Sequence, residues 1–314
     1  MRVAITGATG FIGSALVPYL RARGHVPVVL TRAARGPVPA GGESAVVDYA
    51  DVPSVAQALA GADAVVNLAG ANVFGRRWSK AYKVELRGSR VLATRAVVDA
   101  MASMARPPAV LLSGSAVGHY GPRTPGETLD ETSARAAEFA PADFLASICH
   151  DWERAAAPAE RLGVRTAFLR IGVVLGRGGG AFEELQKVFR MFAGGPIAGG
   201  KQDVSWIHLA DVLGLILFAL ERPEVKGPFN LTAPNPVTNR ELGRALGRAL
   251  HRPSFAPMPG FALRLLKGQV AEMLIGGQRV LPTKALRLGY AFRFPTIDAA
   301  LADLCAPAAA ARSA

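Results

Sequence analysis

The chain has 314 residues, half of them hydrophobic, enough for one large α/β unit or two domains. No apolar run approaches the ~20 residues of a membrane span, and the short apolar start enters a glycine turn rather than a signal-peptide cleavage site, so a cytoplasmic protein is expected. A net charge of +12 invites a polyanion, but the arginines are scattered with no aromatic-interleaved patch, so a small-molecule partner is expected and nucleic acid is not.

The first stretch, Met1 to Gly13, runs from a β-branched segment (Val3 to Thr6) into three glycines at intervals of three, and then into apolar positions at helical spacing (Phe11, Ile12, Leu16, Leu20). This is strand, turn, helix. Gly7 suits the tight turn, Gly10 lets backbone approach a pyrophosphate, and Gly13 allows close helix–strand packing. Gly7, Thr9, Gly10, Phe11, Ile12 and Gly13 are therefore the expected cradle of a dinucleotide, seated on the helix N-terminus. A second strand, Val26 to Thr31, follows. No Asp or Glu stands at its end to hold a ribose diol. Thr31, Arg32 and Arg35 offer a hydroxyl and guanidinium groups instead, which suit a 2′-phosphate. NADP(H) is expected in preference to NAD(H).

A strand from Ser44 to Val47 leads to Asp48, placed to meet an adenine edge. A helix from Val52 to Leu59 and a strand from Ala64 to Asn67 come next, with Leu68, Ala69 and Gly70 leaving room beside the cofactor. Trp78 to Met104 reads as a helix, with Val84, Val91, Leu92 and Val98 inward and Arg87, Arg90 and Arg95 outward. Ala109 to Ser113 is another strand, and Gly163 to Arg170 another. Strands alternating with helices predict a doubly wound, Rossmann-type parallel sheet. The glycines from Gly176 to Gly180 either admit a ligand or connect domains. Helices are expected from Phe182, over Leu209 to Leu220 with Asp211 favouring its dipole, and over Phe261 to Leu274. Thr238 and Glu241 form a capping box for a helix reaching Leu250, and a last short helix surrounds Lys284 to Leu288. The expected division is 1–233 as the dinucleotide domain, 234–305 as a smaller helical lobe closing a substrate pocket, and 306–314 as a tail. Cys149 and Cys305 have no metal spacing, and no metal is expected.

The glycine turn, Asn67-Leu68-Ala69-Gly70, Ser113-Gly114-Ser115 with Tyr120-Gly121, Leu169-Arg170-Ile171-Gly172, Gly194-Gly195-Pro196, Ser205-Trp206-Ile207-His208 and His251-Arg252-Pro253 resemble the extended, atypical short-chain dehydrogenase/reductase superfamily. Within it they resemble the "epimerase family protein" subgroup of epimerase/dehydratase-like proteins. The resemblance implies hydride chemistry on a carbonyl or hydroxyl, with nucleotide sugars as one substrate class. It also implies a homodimer, and substrate contacts from Gln202, Trp206 and His208. Against the superfamily's Asn, Ser, Tyr and Lys, only Ser115 matches. Anchoring on Glu153 puts Leu145 where Tyr belongs, Cys149 where Lys belongs, and Glu85 at the Asn position. Tyr120 is the expected substitute proton partner. His119, Cys149 and the Lys80-Tyr82-Lys83 cluster have plainer readings as packing or surface residues. The alternative to an enzyme is an NADPH-binding sensor or scaffold.

Overall fold

The structure is a computed structural model that describes residues 1–32, 39, 42–121, 123–134 and 143–306. It divides into two compact units. One holds Met1–His119, Phe139–Arg170 and Leu213–Phe229; the other holds Tyr120–Glu138, Ile171–Val212 and Asn230–Ala314. The boundary expected after residue 233 falls inside the second unit. Of the expected tail, only Ala306 lies among the described residues.

The first unit is built on β1 (Arg2–Thr6), α1 (Phe11–Arg21), β2 (Val26–Thr31), β3 (Glu43–Val46), α2 (Val52–Leu59), β4 (Ala64–Asn67), α3 (Lys80–Ser103), β5 (Val110–Ala116) and α4 (Phe144–Ala156). A seven-stranded sheet runs in the order Gly227–Leu231, Arg165–Ile171, β5, β4, β1, β2, β3. β1 to β5 pair in parallel. Helices cover both faces, so the central strands are continuous apolar runs: Val3, Ala4, Ile5, Val65 and Val66 are all fully buried. Val55 and Leu59 of α2 and Val97 and Met101 of α3 pack on Ala4, Val28, Leu30 and Leu111, each large side chain contributing about 1.5–3 kcal/mol. The strand order reverses between β1 and β4. Parallel sheets bind ligands beyond the strand ends at such a point.

α3 departs from the expected facing. Val91 and Val98 are buried, but Val84 is 73% exposed and Leu92 62%. The buried stripe runs through Tyr82, Leu86, Ala93, Val97 and Met101 at steps of four and seven residues, which turns Val84 and Leu92 to solvent. Arg90 points inward, not outward. Its guanidinium donates to Leu86 O (2.9 Å) and Ala71 O (3.0 Å) and lies 5.2 Å from the Trp152 ring.

In the second unit short strands pair as Val173–Leu175 with Trp206–His208, Asp203–Val204 with Val237–Thr238, and Thr128–Leu129 with Arg279–Val280. Its helices are α5 (Gly180–Arg190), the start of α6 (Leu209–Glu221), α7 (Asn239–Leu250), α8 (Gly260–Lys267), the short Glu272–Ile275 and Thr283–Arg287, the latter where a helix was expected, and Ile297–Cys305. The capping box forms as expected: Thr238 Oγ1 accepts from Glu241 N, and the Glu241 carboxylate accepts from Thr238 N. The long helix expected over 261–274 instead breaks at Gly268 (φ +61°), between α8 and a 3₁₀ turn. The helix Ile297–Cys305 escaped the sequence reading, although Thr296 caps it. Phe182, Phe189, Trp206, Leu242, Leu246 and Leu301 form this unit's core. Among the described residues no helix is long and apolar enough to cross a membrane.

Asp211 does more than favour a helix dipole. It is 1% exposed, and its carboxylate accepts from Arg293 N (2.8 Å), Phe294 N (2.9 Å) and Tyr290 Oη (3.3 Å). Removing it strands two backbone N–H groups in the interior. Asp211→Ala should therefore destabilise the fold by about 3 kcal/mol, read as a lowered thermal midpoint. An unchanged midpoint would refute this anchoring role.

Candidate functional site

The three glycines of the turn answer to different constraints. Gly7 has φ +66°, and a Cβ there would stand 2.5 Å from Leu68 O; a Cβ at Gly13 would stand 2.3 Å from Gly7 O. The chain's own packing demands both. Gly10 is different. It is the N-cap of α1 with φ −78°, open to any residue, and its Cβ would crowd one atom, Gly7 O at 3.2 Å. A small backbone shift relieves that contact. The missing Cβ leaves clear the space in front of the first turn of α1. No side chain caps that turn and no acidic residue stands in it. Its outward N–H groups and positive dipole end therefore suit an anion.

The other predicted contacts surround this turn. Thr9 is exposed, and Phe11 and Ile12 are half-buried. Leu68 and Ala69 lie against Gly7 through their backbone, and Ala69 N donates to Thr6 Oγ1 (3.1 Å). Gly70 is exposed and bordered by Arg90. Thr31 ends β2 half-buried and Arg32 follows it exposed; Arg35 lies outside the described residues. Asp48 is exposed and turns the chain ahead of α2 by accepting from Ala50 N (2.9 Å). Beneath the turn, Asn67 is fully buried. It accepts from Thr6 Oγ1 (2.6 Å) and donates to Thr94 Oγ1 (2.7 Å), which also receives Trp152 Nε1 (3.0 Å). This fixes the carboxyl ends of β1 and β4.

Ser115 lies within β5, two residues beyond the expected strand end. Its hydroxyl donates to Glu153 Oε1 (2.7 Å) in a buried network. Arg170 grips the same carboxylate from both sides of its fork, Nε to Oε1 (2.9 Å) and Nη2 to Oε2 (3.0 Å). Arg170 Nη2 also stands 2.9 Å from His119 Nε2. A guanidinium can only donate, so His119 Nε2 accepts and Nδ1 carries the proton, 3.2 Å from Glu153 Oε1. Burial pushes the Glu153 carboxyl up, but hydrogen bonds from His119 and Arg170 and the charge of Arg170 outweigh it and bring it down to about 2. In the sequence Arg170 stands inside the motif Leu169-Arg170-Ile171-Gly172. A charge inside the apolar run Leu169-Arg170-Ile171 needs a buried partner, and Glu153, already used as an alignment anchor, supplies it.

Other predicted residues stand elsewhere than expected. Tyr120 is fully buried and its hydroxyl donates to Asn230 Oδ1 (2.8 Å), so its proton is committed inside the second unit. Asn230, which also binds Glu131 and Leu281 O, was not anticipated. Cys149 is buried, and burial with the nearby Glu153 charge pushes its thiol up to about 12, far from a reactive thiolate. Trp206 has no exposed surface to stack on, and its Nε1 donates to Asn235 O (3.0 Å). Gln202 donates to Ile197 O (3.1 Å) and Leu274 O (2.8 Å). His208 accepts from Ala210 N (3.1 Å), stands 3.3 Å from Asp303, and lies against the Phe294 ring; burial pushes its pKa down. All three side chains make their contacts within the second unit.

Sheet order and glycine turn together define a doubly wound α/β protein of the Rossmann type. Residues 3–232 match the model of the NAD dependent epimerase/dehydratase family, and residues 258–304 match a domain of unknown function, DUF1731. The chain belongs to the NAD dependent epimerase/dehydratase family. It is 44% identical over 307 residues to the Epimerase family protein SDR39U1 homolog, chloroplastic, of Arabidopsis thaliana, covering 96% of this chain and 86% of that protein. It is also similar to the crystal structure of human epimerase family protein SDR39U1 (isoform2) with NADPH, at a TM-score of 0.86 and 36% identity, covering 97% of this chain and 99% of that one. A nucleoside-diphosphate sugar epimerase from Corynebacterium glutamicum matches with a TM-score of 0.76 and 31% identity, over 97% of this chain and 58% of that one.

The depressed Glu153 pKa makes stability depend on pH. Its folded value, about 2, lies below the ordinary 4.5. The contribution, roughly 3 kcal/mol, is thus complete above the ordinary value and lost as pH falls through about 2. Glu153→Gln should cost about 3–5 kcal/mol at pH 7 by leaving Arg170 buried without a counter-charge. The gap to the unmodified protein should shrink between about pH 5 and 2 in denaturant melts; a gap that stays constant with pH would count against the ion pair.

Proposed function

We propose that the chain is an NADP(H)-binding oxidoreductase or epimerase acting on a carbonyl or hydroxyl substrate, a nucleotide sugar being one candidate class. The observation that carries this reading is Gly10. Neither its φ nor its packing strictly requires glycine, yet its smallness opens the uncapped first turn of α1. That is the space a pyrophosphate needs. In this reading the turn from Gly7 to Gly13 holds the pyrophosphate through backbone N–H groups. Arg32 and Arg35, with Thr31, hold the 2′-phosphate, Asp48 meets the adenine edge, and Leu68, Ala69 and Gly70 border the cofactor. The NADPH named with the human structure supports the choice of cofactor. A bound nicotinamide supplies or accepts hydride at its C4.

Ser115 is the group proposed to face the substrate oxygen. Its own proton goes to Glu153, so toward a ligand it presents lone pairs. It therefore accepts a hydrogen bond from a hydroxyl more readily than it donates one to a carbonyl. With Leu145 and Cys149 in the usual Tyr and Lys positions, the acid–base step falls to a group outside the superfamily pattern. Tyr120 joins it only by releasing Asn230.

One pair of observations favours a second reading, an NADP(H) sensor or scaffold without hydride chemistry: Ser115 and Tyr120 both give their protons to buried partners.

Binding and turnover separate these readings. Arg32→Ala should weaken NADPH by about ten- to a hundredfold, the worth of one charge-assisted contact, and leave NADH unchanged. Equal weakening would remove Arg32 from the 2′-phosphate. Gly10→Val should abolish binding of both cofactors with little change in thermal midpoint, and retained binding would remove the pyrophosphate assignment. Oxidation, reduction or epimerisation of any member of a panel of nucleotide sugars and small carbonyls, lost in Ser115→Ala, supports the enzyme. Tight NADPH binding with no turnover on the panel supports the sensor.

A further inference from the structure

The second unit contains a cavity of about 500 Å³ that none of the cofactor or Ser115 residues line. Its walls come from α5, the end of α7 and the end of the helix Ile297–Cys305. Its charge is unbalanced. The guanidinium groups of Arg177, Arg190 and Arg252 line it against one carboxylate, Glu183, a net of +2 (3 − 1). His251 adds a further donor, and Gln186 an amide.

Two of the cations have fixed partners. Arg177 donates through Nη2 to the carbonyls of Asp303 and Ala306, at the end of the last helix. Arg190 occupies the last turn of α5 and is exposed. Both charges reach the half-buried Cys305 thiol, where they act against the upward push of burial. Arg252 is fixed by an unusual backbone. His251 and Phe192 are two of the three non-glycine residues with positive φ among the described residues, at 51° and 59°. The His251 carbonyl accepts from Arg252 Nη1 (3.0 Å), and the Phe192 ring lies 4.9 Å from the guanidinium carbon. Left-handed backbone at bulky residues costs of order 1–3 kcal/mol each and persists where the surroundings enforce it. Arg252 Nε is buried without a hydrogen-bond partner among the described residues, itself a cost of about 1–3 kcal/mol. The segment thus holds the Arg252 side chain at the cavity wall.

We propose that this cavity is a second ligand site, separate from the dinucleotide site, and that it takes a small molecule bearing a phosphate dianion or pyrophosphate. A phosphate monoester carries about −1.5 to −2 at neutral pH, matching the surplus of +2, and guanidinium forks suit its oxygens. The volume lies within the range of about 300–1,000 Å³ for small-molecule sites, so the phosphate can bring an organic portion with it.

Inorganic pyrophosphate, titrated calorimetrically into the full chain held in saturating NADPH, tests the proposal. One site is expected. It should survive in Gly10→Val, whose dinucleotide turn is blocked, and in Arg32→Ala. It should weaken at least tenfold in Arg190→Glu, a change at an exposed side chain that leaves the core intact, and in Arg190→Ala/Arg252→Ala. Arg190→Lys should recover part of the loss. No binding, binding lost with Gly10→Val, affinity unmoved by Arg190→Glu, or binding of a single-stranded RNA with none of pyrophosphate would each overturn it. NADPH binding measured on the same samples tests the cofactor reading independently.

Discussion

The first unit depends on a carboxylate that has been taken out of water. Glu153 sits among Ser115, His119 and Arg170 with little solvent contact, and it stays ionised because Arg170 meets both its oxygens. The three partners come from β5, the turn after it and the strand Arg165–Ile171, while Glu153 comes from α4. One ion pair therefore ties a helix to two adjacent strands. Such a pair adds little net stability when complete but is costly to break. Its main effect is to fix direction: the Ser115 hydroxyl is turned into a donor toward the protein.

In the glycine turn, Gly7 and Gly13 are small because the chain folds back on itself there, whereas a Cβ at Gly10 would crowd one backbone atom, Gly7 O.

Much of the fold was legible in the sequence. α2 and β4 have the expected limits, and the capping box of α7 forms from Thr238 and Glu241. Here local chemistry and hydrophobic period agree, and tertiary contacts do not alter them. Reading failed where a side chain's fate depends on distant residues. Arg90 faces inward because the Ala71 carbonyl and the Trp152 ring await it. Asp211 is an anchor because residues 290–294 return to it. Trp206, Gln202 and His208 carry groups that recognise ligands, and the second unit uses those groups for its own closure. The glycine turn was readable because backbone requirements are written in local sequence. The Ser115 network was not, because its members lie 38, 51 and 17 positions apart.

The interleaving of the two units bears on how the chain is made. Synthesis delivers residues 171–212, belonging to the second unit, before 213–229 complete the first. Trp206 and Phe182 thus leave the ribosome well ahead of Leu242, Leu246 and Leu301, the residues that bury them. A nascent chain stopped near residue 233 would hold every piece of the first unit together with the uncovered apolar half of the second. Until the last helix emerges that half stays uncovered, and transiently exposed apolar surface of this kind is prone to aggregation.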